Sequence, residues 1–220
     1  MLEVLYEDNH LIAINKKSGD IVQGDKTGDA PLSDFVKAYI KKKYNKPGDV
    51  FLGTIHRLDR PTSGIVLYAR TSKALSRMNE QFREKKVQKT YWAVVDNAPP
   101  NSSGTLENDL QKNQKQNKSY VTKSDAGKHA VLDFKLLKKL DNFYHLEIKP
   151  KTGRHHQIRV QLANIGCIIK GDLKYGARRS NKDASIHLLA QRLEFIHPVK
   201  KEPITIIAPA PKDSVWDACK

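Results

Sequence analysis

Two cysteines in 220 residues, Cys167 and Cys219, are too few and too far apart for a disulfide framework or a thiolate metal site, and a reducing cytoplasm suits such a chain. Long apolar runs are missing too. The longest are of strand length, and no basic amphipathic helix dominates, so neither a membrane span nor a membrane-surface helix is expected. The chain opens on Met1-Leu2-Glu3 and a strand pattern with acidic residues, without the basic start and apolar core of a secretory signal. There is no Walker sequence and no dinucleotide-binding glycine fingerprint, so no nucleotide cofactor is implied. Metal is not expected either, because His155 and His156 are adjacent and lack a third ligand at zinc-protease spacing. His56-Arg57-Leu58-Asp59 comes near the kinase His-Arg-Asp triplet, but Leu58 breaks the spacing and no Asp-Phe-Gly follows. No internal repeat or flexible interdomain linker is evident.

Acid is scarce relative to base. Asp and Glu number 24 against 39 Lys and Arg, a formal charge of +15, which points to a polyanionic partner and to nucleic acid first. The length fits one large domain or two intimate lobes, and a single catalytic unit over residues 1–220 is expected.

The element pattern is mixed. Leu11-Ile12-Ala13-Ile14 reads as a short apolar strand closed by a turn over Asn15 to Gly19. Pro31 to Tyr44 reads as a helix with Leu32, Phe35, Val36 and Ile40 inward and Lys41, Lys42 and Lys43 at the end where the dipole favours cations. Thr71 or Ser72 caps a second helix carrying Leu75, Met78 and Phe82 on one face. Thr90 to Val95 alternates as a strand, with Tyr91, Ala93 and Val95 on one face and Trp92 on the other. From Asn97 to Lys128 the chain turns polar, with Lys112, Lys115, Lys118, Lys123 and Lys128 among Gln, Asn and Ser. That stretch is a candidate mobile, RNA-facing excursion, or else a plain solvated loop. Val131–Leu137 and Phe143–Lys149 form a hairpin about Leu140-Asp141-Asn142. Thr152 is the expected cap of a helix running to about Ile165, its apolar face Ile158, Leu162 and Ile165, with Gly166 as its stop. Arg159 falls off that face, where it can project into a cleft and meet a carboxylate, or else be solvated.

The most informative segment is His56-Arg57-Leu58-Asp59-Arg60-Pro61-Thr62-Ser63-Gly64, followed by the apolar Ile65-Val66-Leu67-Tyr68-Ala69. Pro61 and Gly64 punctuate a tight loop ahead of a buried strand, so Asp59 stands on a loop braced by a rigid element. Flanked by Arg57 and Arg60, its carboxylate should stay ionised and fit a nucleophile or base acting on an anionic substrate. The plainer alternative is a salt-bridged surface Asp.

The chain resembles the RluA-type pseudouridine synthases through a series of segments in order. These are Tyr6 to Lys16, His56 to Arg70, Lys89-Thr90-Tyr91-Trp92-Ala93-Val94-Val95, Thr152-Gly153-Arg154-His155-His156-Gln157-Ile158-Arg159-Val160, Gly171-Asp172-Leu173-Lys174-Tyr175-Gly176 and Leu193 to Pro198. The resemblance implies an α/β (α+β) catalytic domain with a mixed, mainly antiparallel sheet flanked by helices around a central RNA-binding cleft. It implies isomerisation of uridine to pseudouridine in ribosomal or transfer RNA, without cofactor or metal. Asp59 would be the catalytic carboxylate, Arg159 its ion-pair partner, and Tyr91 a ring packed on the base. Reaction at both edges of the base requires it to leave the stack. Arg57 would fill the vacated space, with His56, Arg60, Arg154, His155 and His156 as further RNA-contact candidates. A monomer is expected, starting at the catalytic domain without the small RNA-binding module some relatives carry, and recognising a compact stem-loop.

Lys17 stands where the family commonly has proline, Gln161 where histidine is frequent, and Ile186-His187-Leu188 where Leu-His-Ala is usual. None touches the catalytic candidates. Two rival readings remain: a ribosome-assembly or RNA-binding module that kept the fold and lost the reaction, and a glycosidic hydrolase. The hydrolase would want a second catalytic carboxylate, and nothing marks Asp133 and Glu147 as a pair.

Overall fold

The computed structural model describes residues 2–24 and 28–220; Met1, the start of the amino-terminal pattern, lies outside them. In chain order the elements are β1 (Val4–Glu7), β2 (Leu11–Lys16), α1 (Leu32–Lys43), β3 (Gly53–Thr54), β4 (Ser63–Ala69), α2 (Ser72–Arg83), β5 (Gln88–Val95), β6 (Ser103–Asn113), β7 (Lys118–Thr122), β8 (Lys128–Lys139), β9 (Tyr144–Pro150), α3 (Gln157–Asn164), β10 (Leu188–Ile196), β11 (Pro203–Ile207) and α4 (Ser214–Ala218). A short 3-10 turn spans Leu173–Tyr175. This is an α+β fold. It divides into two compact units, Met1–Gln88 with Ala190–Pro209 and Lys89–Leu189 with Ala210–Lys220.

In the first unit the strands lie in the order β1-β2-β4-β10, with β3 on β4 and β11 on β10. The apolar run Leu11 to Ile14 is buried throughout because both faces of β2 are covered, which is why it does not alternate. Val36 and Ile40 of α1 close one side over Ile12, Ile14, Val66 and Tyr68, each such side chain contributing about 1.5–3 kcal/mol by burial. Phe35, expected inward, is 58% exposed. It sits about 100° round the helix from the centre of the Leu32, Val36, Ile40 stripe, so the packed face is narrower than the sequence suggested. At the other end of α1, Lys43 Nζ reaches Glu7 at 2.6 Å. Thr71 is the cap expected for α2, its Oγ1 accepting the Ala74 N–H at 3.2 Å.

Antiparallel pairing of β2 with β4 puts Lys16 opposite Gly64. Gly64 has φ +109°, and a Cβ there would lie 2.3 Å from the Ala190 carbonyl oxygen. Only glycine allows β4 to approach β10 this closely while entering the left-handed region.

The second unit orders its strands β5-β9-β8-β6-β7. Ala93 and Val95 face Leu132, Phe134, Leu146 and Ile148, with Ile158 and Leu162 of α3 laid over them. Trp92 points the other way, edge-on to His145 at 5.0 Å. On that same side Trp216 of α4 stands 6.3 Å from His145 and stacks on His187 at 5.2 Å, while Asp213 Oδ1 caps α4 by accepting the Val215 and Trp216 N–H groups.

The polar span Asn97 to Lys128 is not a loop. It builds β6 and β7, with Leu106, Asn108 and Leu110 turned toward the core and Glu107, Asp109 and Gln111 toward solvent. One face of these strands meets water and little of the other is buried, so their composition is that of a loop and only the period of two in β6 reveals them. The hairpin around Leu140-Asp141-Asn142 forms as expected, closed by Leu140 N–H to Phe143 O at 2.8 Å.

Helix α3 begins later than expected. Thr152 lies ahead of it, donating from Oγ1 to Gln157 Oε1 at 2.7 Å and accepting the Val131 N–H at 2.9 Å, so it ties the entry loop to β8 rather than capping. The cap position is held by His156 in the left-handed region at φ 55°. The helix stops at Ile165 with Gly166 at φ +79°, as the sequence suggested. Every residue from Gln157 to Leu162 is buried, so Arg159 does not lie on a solvated face.

Candidate active site

Asp59 stands half-buried just ahead of β4, and its carbonyl accepts the Thr62 N–H at 3.0 Å to close a tight turn. The turn is held from beneath by Lys16. That side chain is 1% exposed, and its ammonium donates to the carbonyls of Lys17 at 2.9 Å, Arg60 at 2.9 Å and Thr62 at 2.7 Å. Three donors meet three acceptors, so the buried charge is fully hydrogen-bonded. Burial pushes the lysine down to about 8, while Asp20 and Asp59 pull it back up. Lys16 is thus a buried cation whose charge Asp59 feels. The turn expected over Asn15 to Gly19 starts only after Lys16, which is the buried last residue of β2.

Arg60 faces elsewhere. Its Nε donates to the Gly19 carbonyl at 3.1 Å and its terminal nitrogen pairs with Asp29 at 2.8 Å, so the arginine binds the loop to the segment before α1. Arg57 is exposed. His56 Nε2 accepts the Leu67 N–H at 3.1 Å and its ring stacks on Phe82 at 5.3 Å, which makes it a brace between this loop, β4 and α2.

In the second unit Arg159 is 4% exposed and forms a two-pronged pair with Asp172, Nε to Oδ2 at 2.7 Å and Nη2 to Oδ1 at 2.8 Å. Asp172 is 1% exposed. The guanidinium also lies over the Tyr175 ring, 5.1 Å from its centroid. The Tyr175 hydroxyl accepts the Ser119 N–H at 3.0 Å and donates to the Ser119 carbonyl at 3.1 Å, which leaves His156 Nδ1, at 3.0 Å, as donor to the phenol oxygen. Burial, then the neighbouring Arg159 charge, push the His156 imidazole down to about 2, so the ring is neutral. His156 is buried. His155 stacks on it at 3.8 Å, half-buried, with Nδ1 at 2.8 Å from Ser119 Oγ. Arg154 is exposed, its Nε donating to the His129 carbonyl at 2.9 Å. Tyr91 lies on β5, part-buried against the core under α3.

Asp172 and Tyr175 went unassigned in the sequence, although both lie in the Gly171 to Gly176 segment. Two glycines in the left-handed region, Gly171 at φ +88° and Gly176 at φ +106°, bracket them, and a Cβ at Gly171 would lie 2.6 Å from the Ser185 carbonyl oxygen. Gln161 is wholly buried and donates to the Leu106 and Ala130 carbonyls and Asn108 Oδ1, fastening α3 to β6 and β8. No helix among the described residues is long and apolar enough to cross a membrane.

The sequence profile of the RNA pseudouridylate synthase family matches residues 10–164. The chain is 34% identical over 225 residues to the ribosomal large subunit pseudouridine synthase D of Xylella fastidiosa, covering 96% of this chain and 67% of that protein. It is 36% identical over 212 residues to the ribosomal large subunit pseudouridine synthase C of Vibrio vulnificus, covering 94% and 65%. The chain therefore spans about two thirds of the length of these relatives. In fold it is similar to the human RNA pseudouridylate synthase domain containing 4 protein, with a TM-score of 0.81 at 23% identity over 99% of this chain and 91% of the other.

Proposed function

The chain belongs to the RNA pseudouridylate synthase family, and we propose that it isomerises a specific uridine of ribosomal or transfer RNA to pseudouridine, with Asp59 as the catalytic carboxylate. The names of the relatives favour ribosomal RNA. The observation that carries the assignment of Asp59 is the clamp beneath it: Lys16 fixes the carbonyls of Arg60 and Thr62 while Asp59 itself stays partly accessible. A carboxylate preorganised on a rigid turn is what a reaction at a sugar–base bond requires.

The reaction breaks the bond between uracil N1 and the ribose, turns the ring, forms a bond from carbon 5 to the same ribose carbon, and releases the carbon 5 proton. N1 ends with a proton, so atoms balance without water or a cosubstrate. Asp59 would stabilise or capture the departing intermediate, and Tyr91 and Arg159 are proposed as the other catalytic residues on the strength of the resemblance. The target base would leave the stack to react. Exposed Arg57 is proposed to occupy its place, since a planar guanidinium both stacks and contacts phosphate. Arg154 and His155 are proposed RNA contacts, supported by the excess of 39 basic over 24 acidic residues.

Asp59→Asn tests the assignment. The substitution keeps size and hydrogen-bonding capacity, so RNA affinity should persist while tritium release from uridine labelled at carbon 5 falls to background. Turnover near the wild-type rate in that variant removes Asp59 from the chemistry. Absence of pseudouridine from every RNA offered to the wild-type protein removes the activity itself.

A further inference from the structure

We infer that Asp172 and Tyr175 are positioning residues that act through Arg159, one fixing the edge of its guanidinium and the other its plane. The inference deepens the proposed function and rests on its reading of Arg159. An arginine side chain has four rotatable bonds beyond its Cα, and a functional guanidinium must be held to within about 0.5 Å and 10–20°. Asp172 takes Nε and Nη2 together in a fork that lysine cannot reproduce, which fixes the rotation of the group about its own axis. The Tyr175 ring beneath it fixes the tilt. Both come from one turn whose shape is set by Gly171 and Gly176, and Tyr175 is in turn locked by its hydroxyl to Ser119 of β7 and to His156. A charge pair 4% and 1% exposed is expensive to bury and is often matched or bettered by apolar residues of equal volume. Stability alone therefore gives little reason for it, whereas presentation of a second guanidinium edge to a reacting group does.

The experiment compares wild type with Asp172→Asn, Asp172→Glu, Arg159→Met and the double variant Asp172→Asn/Arg159→Met. Single-turnover and steady-state rates are read on RNA, alongside melting temperature. Asp172→Asn should lower kcat on the order of a hundredfold with KM nearly held, because misplacement by about an ångström costs that much. Asp172→Glu keeps the charge and moves it by one methylene; it should stay folded and still lose kcat, which covers the case of an unstable Asp172→Asn. Added to Arg159→Met, Asp172→Asn should lower the rate no further, and should raise the melting temperature above that of Arg159→Met by removing an unpaired buried carboxylate. Wild-type kcat in folded Asp172→Asn and Asp172→Glu overturns the inference, as does an equal rate loss from Asp172→Asn with and without Arg159. Normal turnover in Arg159→Met is a different result: it refutes the catalytic reading of Arg159, and the inference falls with it.

Discussion

Raising the pH from 8 toward 10 should widen the stability advantage of the wild-type protein over a Lys16→Met variant. A lysine in an unfolded chain titrates near 10.5, and burial of Lys16 pushes it down to about 8 in the folded protein. Between those values the unfolded chain holds a proton that the folded protein has released. The unfolded state then binds more protons, so the free energy of unfolding rises with pH, by about 1.4 kcal/mol per unit and about 3 kcal/mol across the window. Below pH 8 the ammonium is charged in both states and the effect vanishes. The Met variant has no such group. Cys167 and Cys219, both pushed up to about 11 by burial, act in the opposite sense above pH 9, but they are present in both proteins and cancel in the difference. Urea unfolding of the two proteins at pH 7.5, 8.5, 9.5 and 10.5 at fixed ionic strength reads that difference directly. A difference that stays flat or shrinks with pH refutes the downward shift of Lys16. The neutral amine can donate only two of the three hydrogen bonds, so wild-type turnover should also fall on the alkaline side of pH 8 as the Asp59 turn loosens.

Gly64→Ala should destabilise by about 3–5 kcal/mol, the sum of left-handed strain and overpacking against the Ala190 backbone, and chemical denaturation would expose the error if the loss is under about 1 kcal/mol. Neutralising Lys112, Lys115 and Lys123, all exposed, should flatten the salt dependence of RNA binding by up to about 2–3 log units per log unit of salt without changing the chemical step on saturating RNA; an unaltered slope means these lysines face away from RNA. Lys118 is left in place because its ammonium lies over the Tyr175 ring. Burial against Trp92 and Trp216 pushes His145 down to about 4, so the unfolded state binds more protons between about pH 6.5 and 4 and stability falls as the pH drops through that range, by about 3 kcal/mol in all. His145→Phe should remove that part of the acid sensitivity in denaturation midpoints, and an unchanged acid profile would assign it to other groups.

Legibility tracked burial. Where both faces of an element are covered, as in β2 and β4, the apolar run announces itself, and the cap at Thr71 and the stop at Gly166 follow from local chemistry that tertiary contacts leave alone. The polar strands β6 and β7 were hidden because one face meets water and little apolar patterning survives. Phe35 and Thr152 were misplaced for a related reason: helical spacing and cap chemistry name suitable residues, while packing and the β8 backbone decide which are used. Asp59 could be singled out because Pro61 and Gly64 punctuate its loop. Asp172 could not, since a carboxylate buried on an arginine from another element leaves no periodic trace, and the same holds for Lys16, whose three partners are backbone carbonyls.

The Tyr175 hydroxyl has a further consequence for how this protein meets other copies of itself. β7 ends the strand order of its unit, and the outer backbone of such a strand is a template on which any extended chain can assemble. By taking both the N–H and the carbonyl of Ser119, the phenol fills the rung that an incoming strand would need, and Lys174 occupies the carbonyl of Asn117 beside it. The turn that holds a guanidinium on one side thus seals the border of a sheet on the other, and loss of the phenol oxygen would leave the buried N–H and carbonyl of Ser119 without that partner.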